Sequence, residues 1–400
     1  MNPDTTRLID RWAGIPLCFF TSLLIWKNKK TSIGAKSIDT IVFIGIAEIG
    51  ALVVSYPAIQ EARKKHPKSR ICFITAPAGK QTLKLMGFDE NDILLIRISS
   101  IRSIFGDIAK IRNTFKKESV SAVVLEPFTR FSTLVAAWVG ASKRIGCYRF
   151  LAEGSYIGKL LSHRLIYNPH LHASQTYLAL VKLLDEPESP EPQLKEVVTP
   201  QIKNRLKIGI PENEQYTLKN RLKTEIPEIN LKKIVLLNAN TSDIVPLRKW
   251  PLDNFIELGK WLLENYEVTI VLTGSLEEHS ASENLAREID PERVINFAGK
   301  TTFKELITLY SLGELLVTND SGPVHFASTT NIPIIALFGP ETPKIFGPMS
   351  PAAKVISVGL ACSPCISVFN QKKSSCNDNQ CMKQITVEMV IKETQKILRK

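Results

Sequence analysis

Four hundred residues, 44% of them hydrophobic, suit two domains of ordinary size and exclude a polytopic membrane protein. The net charge of +12 calls for an acidic partner. The Lys and Arg residues are spread along the chain without a nucleic-acid motif, so a membrane surface or an acidic acceptor ranks well above nucleic acid.

Residues 1–37 read as an interfacial segment. Trp12 to Trp26 (WAGIPLCFFTSLLIW) carries no charge, with Arg7 and Arg11 before it and Lys27, Lys29 and Lys30 after it. Fifteen helical residues span about 22 Å, short of the roughly 30 Å hydrocarbon core, and Pro16 is expected to disturb the first part. Tryptophans at both ends with cations beyond them suit a segment lying along anionic lipid. The competing readings are a signal peptide, for which no small-x-small cleavage site follows, and a plain helix packed on the first domain.

Residues 38–184 read as a parallel α/β domain. Apolar strands are expected at Ile41–Ile46, Ile71–Thr75, Ile93–Ile98, Val120–Glu126 and Arg144–Cys147, with helices between them. The first helix is expected to run from the Ala47-Glu48-Ile49-Gly50 turn to about Lys65. Glu48, just past the first strand, is either a helix-start residue favoured by the dipole or a base placed to take a proton from a hydroxyl. Arg130, Arg144 and Arg149 follow strands, where they could clamp phosphate. The glycine-rich dinucleotide fingerprint is absent from the first turn, which argues against a nicotinamide enzyme.

Residues 185–200 (DEPESPEPQLKEVVTP) read as a linker, and 201–400 as a second α/β domain. Its strands are expected at Lys233–Leu237, Val268–Thr273, Val294–Phe297, Leu315–Thr318 and Pro333–Phe338. Arg248-Lys249-Trp250-Pro251 precedes a helix from about Leu252 to Glu264. After the next strand come Glu277 and Glu278, either ribose ligands or solvated helix-start residues.

The densest signal is Leu315 to Pro348, LLVTNDSGPVHFASTTNIPIIALFGPETPKIFGP. A buried strand runs into the turn Asn319-Asp320-Ser321-Gly322-Pro323, then a short helix, then a second buried strand. Amides of Ser321, Gly322 and Val324 at that helix start would suit an anion, and Asp320 beside them would suit a sugar joined to a diphosphate. The plain alternative is a structural N-cap. His325, one turn into the helix, either faces the ligand or is a satisfied core histidine.

The run DSGPVHFAS followed by IPIIALFGPETPKIFGP resembles glycosyltransferase family 9, the heptosyltransferase-like enzymes of lipopolysaccharide assembly. The resemblance implies a GT-B fold, two Rossmann-like parallel-sheet domains facing a cleft, with 38–184 on the acceptor side and 201–400 binding donor. It also implies inverting transfer from a nucleotide-sugar, ADP-heptose first, to an anionic glycolipid at the inner face of the cytoplasmic membrane, without a catalytic cofactor. No Asp-x-Asp signature ends a plausible strand. Arg248 falls at the family's basic residue that contacts donor phosphate, with Lys249 its neighbour. The family's presumed base, an Asp after the loop glycine, is absent because Ala51 follows Gly50, and Glu48 stands in as the catalytic candidate. The missing Asp keeps a noncatalytic sugar-nucleotide-binding protein open, and a GT-B-like epimerase or sugar-nucleotide hydrolase would use the same donor residues.

Cys362, Cys365, Cys376 and Cys381 have C-x2-C-x10-C-x4-C spacing. Four thiolates suit tetrahedral Zn²⁺, so a structural zinc site, disulfides and reduced thiols in an ordered loop are the three readings.

Overall fold

The computed structural model describes residues 10–28, 38–149, 155–188, 194–199, 204–225, 233–241 and 245–398. The chain divides into two compact units at Gln201/Ile202, with Val368–Asn370 belonging to the first. Arg7, Lys29 and Lys30 of the N-terminal expectation lie outside the described residues, as does part of the expected linker.

Unit 1 holds β1 (Thr40–Ile44), β2 (Arg70–Thr75), β3 (Ile93–Leu95), β4 (Val120–Val124), β5 (Lys143–Tyr148) and β6 (His163–Ile166). They form one parallel sheet in the order β3-β2-β1-β4-β5-β6. Strand β1 lies between β2 and β4, with Thr40 opposite Arg70 and Val120. The apolar run of β1 is buried throughout because helices cover both faces of such a sheet. Val42, Ile44, Cys72, Ile74, Ala122 and Val124 anchor one face of the core.

Helices α1 (Ile15–Asn28), α2 (Ile49–Val54), α3 (Tyr56–Lys65), α4 (Ile101–Thr114), α5 (Arg130–Trp138) and α6 (Ala173–Lys182) belong to this unit. The single helix expected up to Lys65 is two. Pro57 lacks an amide and would clash with the carbonyl four residues back in a continuous helix, so the chain breaks at Ser55. The Ser55 hydroxyl then donates to Leu52 O at 2.7 Å. Pro16 does not disturb its helix: Asp10–Gly14 winds as a π turn, and Pro16 falls in the first turn of α1, where proline is tolerated.

The expected third strand ends early, at Leu95, and the fourth at Val124, which leaves Glu126 in the loop beyond it. Arg144 is no phosphate clamp: it is 7% exposed, and its guanidinium donates to the carbonyls of Leu160 and Ala141, the latter at 2.7 Å.

Unit 2 repeats the pattern with β7 (Ile234–Asn238), β8 (Thr269–Leu272), β9 (Val294–Asn296), β10 (Gly313–Asn319), β11 (Ile334–Leu337) and β12 (Ala353–Ile356). The sheet order is β12-β11-β10-β7-β8-β9, again all parallel. Its helices include α7 (Leu252–Asn265), α8 (His279–Ile289), α9 (Phe303–Leu312), α10 (Gly322–Ala327) and α11 (Val387–Ile397). Counted from its own first strand, each sheet has the order 3-2-1-4-5-6 of a Rossmann sheet, and the chain reverses direction between local strands 1 and 4. Those strands are β1 and β4 in unit 1, and β7 and β10 in unit 2.

Candidate functional site

In each unit the named residues gather where the winding reverses, at the carboxyl ends of the two central strands. The unit 2 corner is tied together by side chains that bond backbone. Asn319, the last residue of β10, accepts from Trp250 N at 3.0 Å and donates to Ala239 O at 2.9 Å, just past β7. Trp250 is 1% exposed, rests edge-on against Phe255, and donates its indole N–H to Ile385 O at 2.7 Å. Asn379 donates to the carbonyls of Leu247 at 3.0 Å and Lys249 at 2.9 Å. The Arg248 loop is therefore fixed from three sides.

Held this way, Arg248 lies between two carboxylates. Its Nε is 3.3 Å from Asp320 Oδ2, and its Nη2 donates to Glu341 Oε2. Asp320 and Glu341 are each 3% exposed. Asp320, read in the sequence as the residue beside the sugar, has its carboxylate turned to this guanidinium. One cation between two nearly buried anions is rigidly positioned, and removing it would leave carboxylates facing each other out of water. Glu341 was missed in the sequence, although it stands in the quoted GPETP just after β11. Lys249 is exposed.

Ser321 is the N-cap of α10, and Ser321, Gly322 and Pro323 are half-buried. The Val324 amide is not available to an anion, because it donates to Ser321 O at 3.2 Å. His325 is 8% exposed. Glu277 is exposed, and its carboxyl is held below the usual range by its own amide and by the Ser275 hydroxyl. Glu278 folds back to accept from Ser275 N at 2.7 Å, so of the two glutamates Glu277 is the one that faces solvent.

The unit 1 corner is built from carboxylates. Glu48 precedes α2 in extended conformation, half-buried, and makes no side-chain cap hydrogen bond. Ala51, the position of the family's usual Asp, is 7% exposed. Glu126 in the loop after β4 reaches across to β1: Oε1 accepts from Ile46 N at 2.8 Å and from Ala47 N, and Oε2 accepts from the Ser132 hydroxyl. Burial pushes the Glu126 carboxyl up and the Glu48 charge pushes it further, against the pull of those three donors. Arg130 donates Nε to Tyr156 O at 2.9 Å, and Arg149 lies over the Tyr156 ring at 5.6 Å.

The four C-terminal cysteines differ in exposure. Cys362 and Cys376 are exposed, Cys365 is half-buried and Cys381 is buried. Among the described residues no group of three or more His, Cys, Asp or Glu is placed to hold a metal ion. The Cys376 thiol donates to Asp378 O at 3.1 Å, and Ser374 donates to Cys365 Sγ at 3.2 Å. Burial pushes the Cys381 thiol up, and its neighbours Cys365, Cys376 and Cys362 add to the effect.

Residues 108–375 match the family described as glycosyltransferase family 9 (heptosyltransferase). The chain is 36% identical over 115 residues to lipopolysaccharide heptosyltransferase 2 of Escherichia coli K12, covering 28% of this chain and 32% of that protein. It is 31% identical over 171 residues to lipooligosaccharide heptosyltransferase 2 of Campylobacter jejuni, covering 42% and 52%. These matches span about half or less of each relative's length. The solved structure of E. coli ADP-heptose LPS heptosyltransferase II superposes with a TM-score of 0.68 at 21% identity, covering 90% of this chain and 98% of that one. The superposition, with two six-stranded parallel sheets, establishes the GT-B fold.

Two outcomes follow from this geometry. Arg248→Ala is expected to lower unfolding free energy by about 3–5 kcal/mol, because it strands two buried carboxylates; a loss under 1 kcal/mol in urea titration would contradict the ion-pair account. In native protein at pH 8, maleimide is expected to label Cys362 and Cys376 first, while Cys381 and the buried Cys72 and Cys147, both pushed up to about 12, react only on unfolding.

Proposed function

The chain belongs to glycosyltransferase family 9, and on that footing we propose that it is an inverting, metal-independent glycosyltransferase moving a sugar from a nucleotide-sugar to a lipopolysaccharide-type glycolipid. Heptose carried on ADP is the first donor to test. The observation that carries the reading is the buried setting of Arg248 at the carboxyl ends of β7 and β10, beside the half-buried start of α10. A departing diphosphate gains negative charge, and a cation already fixed in place lowers the barrier without reorganising. In the proposed single displacement, Glu48 takes the proton of the acceptor hydroxyl as its oxygen attacks the anomeric carbon. The diphosphate leaves toward Arg248, Lys249 and the amides of Ser321 and Gly322. Asp320 and Glu341 hold the guanidinium, and Glu277 reaches the donor ribose.

We also propose that the protein sits peripherally on the inner face of the cytoplasmic membrane through α1. Cys18, Thr21, Ser22 and Ile25, at helical spacing, face unit 1. Trp138 Nε1 donates to Thr21 Oγ1 at 3.2 Å, and Lys159 N donates to Ser22 Oγ at 2.9 Å. The other side of the helix presents open apolar residues, Phe20 and Leu24 61% exposed each and Trp26 63%, and Trp12 in the turn before it is 73% exposed. A helix apolar on its outer face needs a second apolar phase to cover it. Among the described residues no helix is long and apolar enough to cross a membrane, and α1 is pinned along its length, so the reading is insertion in the plane. Arg11, Lys27, Lys29, Lys30 and Lys36 are the only charged residues between Asp10 and Asp39. That favours anionic lipid, at about 1 kcal/mol per cation near the surface.

Each reading has an expected outcome. Incubated with ADP-heptose and lipid A-type acceptor, the protein is expected to form sugar-bearing glycolipid, and Asp320→Asn is expected to cut kcat/KM by about 100-fold. Free sugar or an altered sugar nucleotide would indicate a hydrolase or an epimerase; donor binding without turnover would indicate a binding protein. In flotation assays the protein is expected to rise with phosphatidylglycerol vesicles, and Phe20→Asp with Leu24→Asp to release it. Unchanged flotation of that double variant would contradict membrane docking through α1.

A further inference from the structure

The unit 1 corner carries three features that a purely structural turn does not need. Glu126 is a carboxylate held out of water, with three donors converging on it. Phe128, two residues on, has φ +59°, a left-handed conformation that is strained for a non-glycine residue. Tyr167 is 7% exposed, its ring meets Phe128 edge-on at 5.7 Å, and its hydroxyl has no hydrogen-bond partner among the described residues. Strain, an orphan hydroxyl and a desolvated charge gathered at one strand end mark a site shaped for chemistry.

We propose that Glu126 is the positioning residue for Glu48: by gripping the amides of Ile46 and Ala47 it fixes the turn that presents Glu48, and its charge sets how basic that corner is. The inference rests on the reading of Glu48 as the base. Glu126 acts through backbone and through charge, without touching substrate. Oε1 accepts from both amides, and the Ser132 hydroxyl can donate to Oε2 or accept from it, so the grip on the turn does not depend on whether Oε2 carries a proton. Protonation of Oε2 would leave the turn held through Oε1 and remove only the charge beside Glu48. Among the described residues, Tyr167, Tyr177 and Cys147 are further titratable groups around this corner. All three are pushed upward by burial, Cys147 to about 12, so they stay neutral beside the two carboxylates.

The sign of the coupling is testable by removing the charge wholly or in part. Glu126→Gln keeps the acceptor oxygen for the two amides but removes the neighbouring charge, which lets the remaining carboxylate ionise more readily. It is expected to fold, leave donor KM unchanged, lower kcat about 10-fold or more, and shift the acid limb of kcat to lower pH. Its stability should hold. A carboxyl raised on folding favours the native state most below its unfolded pKa and loses that as pH rises through its folded pKa, a loss that uncharged Gln avoids. Ser132→Ala removes a donor that holds Glu126 down, so Glu126 keeps its proton to higher pH, repels Glu48 less, and the same limb is expected to move to lower pH by a smaller amount; it also serves should Glu126→Gln fail to fold. An inactive Glu48→Gln, with the acid limb unmoved in both Glu126→Gln and Ser132→Ala, would overturn the role of Glu126 alone, whereas full activity of Glu48→Gln would end the Glu48 reading and this inference with it.

Discussion

A parallel sheet whose crossovers leave toward opposite faces has a gap at the carboxyl ends of its two central strands, because no connection covers that point. Both units of this protein have that geometry, at β1 and β4 in one and at β7 and β10 in the other. The four strands are buried from end to end apart from the first residues of β10, so polar groups can gather only where the strands stop. What the chain does depends on which side chains it places at those ends and on how they are kept from collapsing onto one another.

The two corners are charged differently. In unit 2 a single guanidinium is clamped by Asp320 and Glu341, with Asn319 and Trp250 locking the backbone on either side. In unit 1 two carboxylates sit near each other, one gripping backbone amides and the other at the start of α2. A fixed cation suits a leaving group that gains negative charge, and a carboxylate kept short of full solvation suits a hydroxyl that must lose a proton. This division of labour is what the proposed displacement requires.

Much of this was legible in the sequence. The strand, turn, helix and strand from Leu315 to Phe338 recur in the structure as β10, α10 and β11, because the apolar runs and the Ser-Gly-Pro turn are local signals. Strands β6 and β12 were not legible. Both lie at sheet edges, half-exposed, and His163, Arg164 and Lys354 interrupt the apolar pattern that betrays an inner strand. The site's wiring was hidden for a different reason: Trp250 meets a residue 69 positions away, Arg248 a partner 93 away, and Glu126 an amide 80 away. Periodicity speaks of neighbours within a turn or a strand, and such distant pairs leave no trace in it. Glu126 and Glu341 stood at strand ends in plain view, yet only the fold shows what they hold.

A one-step displacement at an anomeric carbon leaves a stereochemical record in the product. NMR of the glycolipid formed from a sugar nucleotide of known anomeric configuration reads that record directly. A single product with the configuration inverted and one nucleoside diphosphate released per sugar transferred is the expected result. A product with the configuration retained would contradict it.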